Sequence, residues 1–290
     1  VIDLHIHTNA SSDGQHTPSE ILTMARKIGL RAIAFTDHNS IDHVIEGREQ
    51  AKVFGIEFIP CLELNTFHNG LDLHLLAYFI NPEDSELQDW LRSIHQKKIE
   101  QAEKRLTRLN ALGFVFDDGD LRKFSQGRLP TGMSFLRAIL SREENLDDPR
   151  LQPYIKGPLS NSPYVNFYRD YLRGGKSAFV HMEDIYTLDA IQKIKGLGGV
   201  PVLAHPSDTG ERNILHLVEN GLEGLEVYTP YHNIQEQEAF RNFAEAHGLL
   251  ITAGSDFHGK AIKPDVSLGQ AGENHDALVV KLKQHWKGKT

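Results

Sequence analysis

Histidines and carboxylates in this 290-residue chain gather where its apolar runs end. Asp3-Leu4-His5-Ile6-His7 opens the sequence and Asp13 follows. Asp37-His38 closes a second run, Glu63 follows a third, and His74 lies within a fourth. His205-Pro206 ends a fifth, and Asp256-Phe257-His258 follows the last. His5, His7, Asp13, His38, Glu63, His74, His205, Asp256 and His258 form the candidate ligand set. Burying several carboxylates without cations is costly, so metal binding is the economical reason for the pattern. Imidazole and carboxylate without thiolate suit zinc, manganese or iron, and disfavour a closed structural zinc site. The set exceeds what one ion can coordinate, so two or three divalent ions are expected. His16, His43, His68, His95, His216, His247, His275 and His285 read as structural or solvent-exposed.

Positioning these groups needs strands that end on one face. Ile2, Leu4 and Ile6 alternate with Asp3, His5 and His7, predicting a strand in which His5 and His7 point the same way. Thr17-Pro18-Ser19-Glu20 carries a capping box with proline in the first turn, and so starts a helix. Further strands are expected at 31–36, 56–62, 71–79, 199–204, 222–228 and 249–253, with helices between or after most of them. Seven strands in mainly βα order predict an α/β fold, a distorted TIM-like barrel whose strand ends share one face. Asn69-Gly70 is a strong hairpin signal. A two-residue turn there pairs His68 with Leu71 and Asn65 with His74, which makes Glu63 and His74 diagonal neighbours on one face. Residues 84–178 break the rhythm with a long polar helix pattern and proline-punctuated short helices. The expected organisation is therefore a barrel of residues 1–83 and 179–290, with 84–178 as an inserted helical domain covering its mouth.

Composition narrows the function. The chain has 31 Lys+Arg against 39 Asp+Glu, a formal charge of −8. That balance argues against a broad nucleic-acid surface, although a local basic pocket is compatible with it. No run of roughly 18 apolar residues exists to span a bilayer. The single cysteine, Cys61, excludes an intrachain disulfide and suits a reducing compartment, so a cytoplasmic location is expected.

The motifs Asp3-Leu-His5-Ile-His7-Thr8, Ser12-Asp13-Gly14, Thr36-Asp37-His38, Glu63 with His74, Ala204-His205-Pro206 and Gly254-Ser-Asp256-Phe-His258 occur in the order found in the PHP (polymerase and histidinol phosphatase) superfamily. The sequence resembles that family. The resemblance implies a distorted (β/α)7 barrel and a di- or trinuclear centre that hydrolyses phosphoesters. By position, His5, His7, Glu63 and Asp256 correspond to ligands of a first metal, and Asp13, His38 and His258 to those of a second. Glu63 would bridge to a third, with His74 and His205. Aspartate at position 13 and the helical insertion resemble the subgroup of small-nucleotide phosphatases and an RNA 5′-exonuclease.

Within that subgroup's pattern, Arg128 falls in a phosphate-binding arginine region. Lys176 and His181 fall in the segment returning to the barrel, and His232 stands where a histidine lies near substrate. Ser207-Asp208-Thr209 replaces a glycine-arginine pair common after the His-Pro motif. The implied mechanism is attack by a hydroxide bridging the metals held by Glu63 and Asp256, with His232 as candidate acid. Three divalent ions against three carboxylates and a hydroxide leave a formal core charge of about +2, suited to a phosphate monoester dianion. The expected activity is hydrolysis of small phosphate monoesters, nucleotides first. A 5′-3′ exonuclease acting on short RNA, a histidinol-phosphate phosphatase and a non-catalytic metal-binding module are the alternatives.

Overall fold

The computed structural model describes residues 1–181 and 185–288. Its eight strands among those residues form two sheets. The first is parallel, in the order β1 (Ile2–Ile6), β2 (Ala32–Phe35), β3 (Glu57–Phe58). The second runs β4 (Glu63–His68), β5 (Leu71–Tyr78), β6 (Val200–Leu203), β7 (Gly224–Tyr228), β8 (Leu250–Ala253). Within it β5 is antiparallel to both neighbours, and β6, β7 and β8 are parallel. The sheets touch through single bridges, His38 with Glu63 and Ile6 with Phe257. The result is the α/β arrangement of a distorted TIM-like barrel, built as two sheets linked by isolated bridges rather than continuous ladders.

The third expected strand, 56–62, is shortened to Glu57–Phe58, and the hairpin arm Glu63–His68 becomes a strand of its own. Pro60 explains the break. It has no amide hydrogen to continue a ladder, and its carbonyl instead accepts from Phe79 N–H at 2.7 Å. The chain thereby leaves β2 and passes to β5.

A second departure lies in β1. Asp3 to Ile6 runs opposite Ile33 to Phe35, so β1 carries one extra residue, a bulge. Ile2 and Leu4 therefore pack in the inner core with Ala34, Tyr78, Val202 and Ala253. Ile6 packs with Ile33, Phe35, Ile21 and Leu22 against α1 (Pro18–Lys27) and α2 (Val44–Phe54). Strict alternation would have placed all three on one face. The bulge re-aims the following residues and lets His5 and His7 turn toward the barrel mouth.

Between β5 and β6 the chain forms α3 (Ser85–Ala111), α4 (Asp118–Ser125), α5 (Gly132–Leu140), α6 (Gln152–Ile155) and α7 (Pro163–Phe167). Asp84 caps α3, accepting from Glu86 N–H and Leu87 N–H. These helices bury a separate apolar cluster that includes Ala102, Phe114, Phe135, Phe167 and Ala178. The remaining helices are α8 (Thr187–Gly196), α9 (Glu211–Glu219), α10 (Ile234–Ala246) and α11 (Asp276–Lys287). Among the described residues no helix is long and apolar enough to cross a membrane.

The β4–β5 register pairs Asn65 with His74 and His68 with Leu71, as the turn chemistry predicts. Asn69 at φ 49° and Gly70 at φ 83° both occupy the left-handed region that this two-residue turn requires. Gly70→Val should lower stability by about 1–2 kcal/mol, since a β-branched residue is strained there. Urea denaturation of the purified variant checks this; an unchanged midpoint would show that the turn does not set the register.

Candidate metal centre

Glu63 is the hub of the site. It starts β4, is fully buried, and is fixed by backbone bonds to the segment after β2: Asn39 N–H donates to its carbonyl at 2.8 Å, and its own N–H donates to the Asp37 carbonyl at 3.3 Å. Glu63 Oε1 lies 3.3 Å from His5 Nε2, 2.9 Å from His74 Nδ1 and 3.3 Å from His205 Nε2. Its Oε2 lies 3.1 Å from His7 Nε2 and 3.0 Å from His38 Nδ1. Asp256 Oδ1 adds contacts of 3.4 Å to His5 Nε2 and 3.2 Å to His7 Nε2. The two Nε2 atoms of His5 and His7 stand 3.3 Å apart.

Three overlapping groups place one donor atom per residue close enough to share an ion: His5, His7, Glu63 and Asp256; His7, His38 and His258; and His38, Glu63 and His74. The first matches the set implied by the family resemblance. The others share His7 and His38 between neighbours. Asp13 stands further out, 3.8 Å from His38 and 3.9 Å from His258. His205 reaches the cluster through Glu63 Oε1 and through ring contacts with His5 and His74.

The residues fit divalent ions on local geometry. Glu63 Oε2 and His38 Nδ1 are 3.0 Å apart, yet neither makes a hydrogen bond, and Asp13 Oδ1 is likewise buried without a partner. Buried polar atoms left without hydrogen bonds in this way are available to a shared cation. An all-imidazole and carboxylate donor set suits zinc, manganese or iron there.

Electrostatics points the same way. Burial opposes a charge on His5, but Glu226, Glu63 and Asp256 outweigh it and hold the ring well above its ordinary pKa. Burial likewise opposes protonation of His7, while Asp256 and Glu63 raise it to about 9. Glu63, despite burial, is held well below the usual carboxylate range by His5, His74 and His38. Asp256, also buried, is held low by Lys263, His5 and His258. Burial, then His7 and Lys263, push His258 down. Where no metal cation stands, the carboxylates thus stay ionised and draw protons onto His5 and His7, but not onto His74 or His258.

Supporting groups fix the ring orientations. Glu226, fully buried in β7, accepts from His5 Nδ1–H at 2.9 Å and from His205 N–H at 3.0 Å. That bond directs His5 Nε2 at the cluster. Asp37 accepts from the N–H and hydroxyl of both Thr8 and Ser11. Asp3 accepts from Ser255 N–H, Ser255 Oγ–H and Gly269 N–H. Burial raises the pKa of both acids, Asp3 to about 6, against these donors. His205 and Asp256 sit at φ 28° and 55°. Such backbone persists only where surrounding bonds over-determine it, and Asp256 N–H is held by the His5 carbonyl at 2.8 Å. Sequence reasoning missed Glu226, Tyr231 and Lys263. A glutamate flanked by Leu225 and Val227 within the run Leu222–Tyr228 was the available signal for Glu226. Tyr231 O–H and Lys263 both donate to Asp256 Oδ2.

The cluster floors a cleft of about 1390 Å³, with Asp13, His38, Glu63, His74, His205, Asp256 and His258 among its lining residues. Of the four expected substrate contacts, Arg128 lines it, and Lys176, His181 and His232 do not. Lys176 and His181 are exposed. His232 is buried against Phe240 and donates Nδ1–H to the Val227 carbonyl at 2.8 Å. It faces a separate cavity of about 310 Å³. Its Nε2 is buried without a hydrogen-bond partner.

Comparison with known proteins agrees with this geometry. A PHP domain model matches residues 3–128. The chain is 30% identical to a 3′,5′-nucleoside bisphosphate phosphatase from Chromobacterium violaceum, over 89% of this chain and 87% of the relative. It is 28% identical to a 5′-3′ exoribonuclease from Haemophilus influenzae, over 88% of this chain and 89% of that one. The solved structure of an amidohydrolase from Chromobacterium violaceum, with bound sulfate and no metal, superposes with a TM-score of 0.76 at 25% identity, covering 99% of this chain and 96% of the other.

Two outcomes follow from the cluster. Glu226→Leu should weaken manganese binding by about 10–100-fold, because His5 and His205 lose their shared acceptor. Glu226→Gln, which keeps an acceptor oxygen, should restore much of it. Chelator-competition titration measures both; unchanged affinity in the leucine variant would sink the orienting role. Metal binding should also release protons. His5 and His7 carry raised pKa values in the metal-free chain, and an ion needs their neutral rings. Affinity should therefore rise with pH through neutrality as His5 and His7 give up their protons. Calorimetry in buffers of different ionisation enthalpy reads this directly, and finding no proton release would contradict it.

Proposed function

The chain belongs to the PHP domain family of metal-dependent phosphoesterases, and on that premise we propose that it hydrolyses terminal phosphate monoesters of small molecules, nucleotides foremost. The carrying observation is the convergence of unpartnered Glu63, His38 and Asp13 atoms at the floor of a roomy cleft. Two or three ions of manganese, zinc or iron are proposed there. His5, His7, Glu63 and Asp256 would hold one, His38 and His258 with Asp13 a second, and Glu63, His74 and His205 a third. Bound divalent ions would supply Lewis acidity and water of lowered pKa.

The chain's own residues do the rest. Glu226, Asp37 and Asp3 hold the ligand-bearing segments. Lys263 and Tyr231 occupy Asp256 Oδ2, leaving Oδ1 facing the histidines. Arg128, in the loop between α4 and α5, presents planar donors suited to phosphate at the cleft wall. Residues 84–178 are proposed as an inserted domain that roofs the site, supported by their separate apolar cluster. Residues 1–83 and 179–290 then form the barrel.

The relatives divide between a nucleotide phosphatase and an exoribonuclease. Charge favours the first reading for this chain. A monoester carries close to twice the charge of a diester near neutrality, and a compact cationic centre in a partly desolvated cleft discriminates between them by about 1–4 kcal/mol. The proposal therefore expects manganese-reconstituted protein to prefer an aryl phosphate monoester over the matched diester by about tenfold or more in kcat/KM. A chelator should abolish turnover and added manganese should restore it. Equal or better diester hydrolysis, or stepwise release of nucleotides from 5′-phosphorylated RNA, would transfer support to the exonuclease.

A further inference from the structure

Asn39 and Asn65 stand beside the metal centre and line the same cleft as His74. Asn39 is buried, its backbone is left-handed at φ 52°, and its N–H donates to the Glu63 carbonyl. An amide side chain has one accepting and one donating end, and a main-chain group decides here which is which. Asn65 N–H donates to Asn39 Oδ1 at 3.1 Å. A main-chain N–H cannot accept, so the atom it meets is the oxygen. The other end of Asn39 is therefore the NH2, and it donates to Asn65 Oδ1 at 2.6 Å. The remaining end of Asn65, Nδ2, stands 2.9 Å from His74 Nε2. An amide NH2 has no lone pair to give, so His74 Nε2 must accept. In the neutral ring the proton then sits on Nδ1, which lies 2.9 Å from Glu63 Oε1. Turning either amide round would set donor against donor.

These bonds give the two oxygens of Glu63 different surroundings. Oε1 accepts from His74 Nδ1–H and lies 3.3 Å from His205 Nε2. Oε2 is buried without a hydrogen bond, 3.1 Å from His7 Nε2 and 3.0 Å from His38 Nδ1. For His74 to ligate an ion through Nδ1, its proton would have to sit on Nε2, and there it would face Asn65 Nδ2–H. A metal-bound histidine normally directs its second nitrogen at an acceptor, as His5 does with Glu226. His74 meets a donor in that place. Without His74, the third position proposed above retains only Glu63 and His205.

We propose that Asn39 and Asn65 lock His74 as an Nδ1–H donor, so that His74 positions the Glu63 carboxylate instead of ligating an ion, and the centre holds two ions. This rests on the metal-dependent reading above and narrows its two or three ions to two. It departs from the family resemblance, which gives His74 a ligand's role. By holding Oε1, His74 leaves Oε2 to the side of His7 and His38, where the first two ions are proposed.

The test uses the full chain loaded with zinc, which is diamagnetic and so permits nitrogen NMR of the histidine rings. The His74 signals are identified by their loss in His74→Gln. In the zinc-loaded wild type His74 should carry its proton on Nδ1, and elemental analysis after removal of free metal should find two zinc ions per chain. A His74 proton on Nε2, or three ions per chain, overturns the proposal. His74→Ala should keep both ions but bind them about 10–100-fold more weakly, because Glu63 loses its donor. Loss of one ion from His74→Ala or His74→Gln makes His74 a ligand and overturns the proposal. Asn65→Asp puts an acceptor oxygen where the NH2 stands. There the His74 proton should move to Nε2 and a third ion should bind. A proton that stays on Nδ1 overturns the lock, and a moved proton with only two ions overturns the tautomer as what keeps the third position empty. Phosphomonoester turnover is measured separately. Two ions and an Nδ1–H His74 without hydrolysis of any substrate would sink the phosphatase and leave the lock standing, whereas fewer than two ions in the wild type overturns the lock together with the multinuclear centre.

Discussion

A single buried carboxylate organises this molecule. Glu63 is excluded from water and faced by the imidazoles of His5, His7, His38, His74 and His205. An ionised carboxylate in such a place is tolerable only if positive charge comes to it. The surrounding histidines can bring it as protons or give way to divalent ions, and the same geometry serves both. The strand ends, the bulge and the hairpin register can each be understood as means of bringing those rings to one carboxylate from different segments of chain.

The means are mostly backbone features with polar anchors. The bulge in β1 moves Ile6 to a different core from Ile2 and Leu4, freeing the intervening turn of the strand to present His5. Left-handed backbone at His205 and Asp256 bends the chain sharply where β6 and β8 end. Glu226 binds a ring nitrogen from β1 and a main-chain amide after β6, so one side chain fixes two ligand-bearing segments. Gly254 shows how little slack remains. A Cβ there would lie 2.3 Å from His5 Cβ and 2.7 Å from Glu226 Oε1. The precision of the site thus rests on sterically intolerant packing of a proposed ligand, His5, against the supporting residues Gly254 and Glu226.

What was legible in the sequence follows from the range of the forces involved. The Asn69-Gly70 turn is a local conformational demand, and it carried the β4–β5 register and the Glu63–His74 contact with it. Thr17-Pro18-Glu20 is likewise local, and α1 starts there with its capping box intact. The ligand set could be collected because acids and histidines interrupting apolar strand ends are conspicuous. The β1 bulge was not legible, since Asp3-Leu4-His5-Ile6-His7 alternates perfectly and the extra residue is imposed by pairing with β2. Glu226 looked like one acid among many, because its role depends on a histidine more than two hundred residues away. The expected contacts of Lys176, His181 and His232 came from family position alone, and nothing local obliged those side chains to reach the cleft.

The chain's acidity and the cations that line its cleft are compatible because they act over different distances. A net charge of −8 is spread over the whole molecule, and its field fades beyond about 8 Å at physiological ionic strength. Lys98, Arg105, Arg128 and Lys263 instead line the cleft itself, where low dielectric and restricted water strengthen each interaction. A small phosphorylated molecule that enters fully comes within reach of Lys98, Arg105 and Arg128, while Lys263 is already paired with Asp256. A long strand would place its later phosphates outside the cleft, against a surface with no cationic excess to release its counterions. Under the substrate reading proposed here, discrimination by size therefore needs no steric gate, because every phosphate beyond the cleft gains little while its neighbours within it gain much.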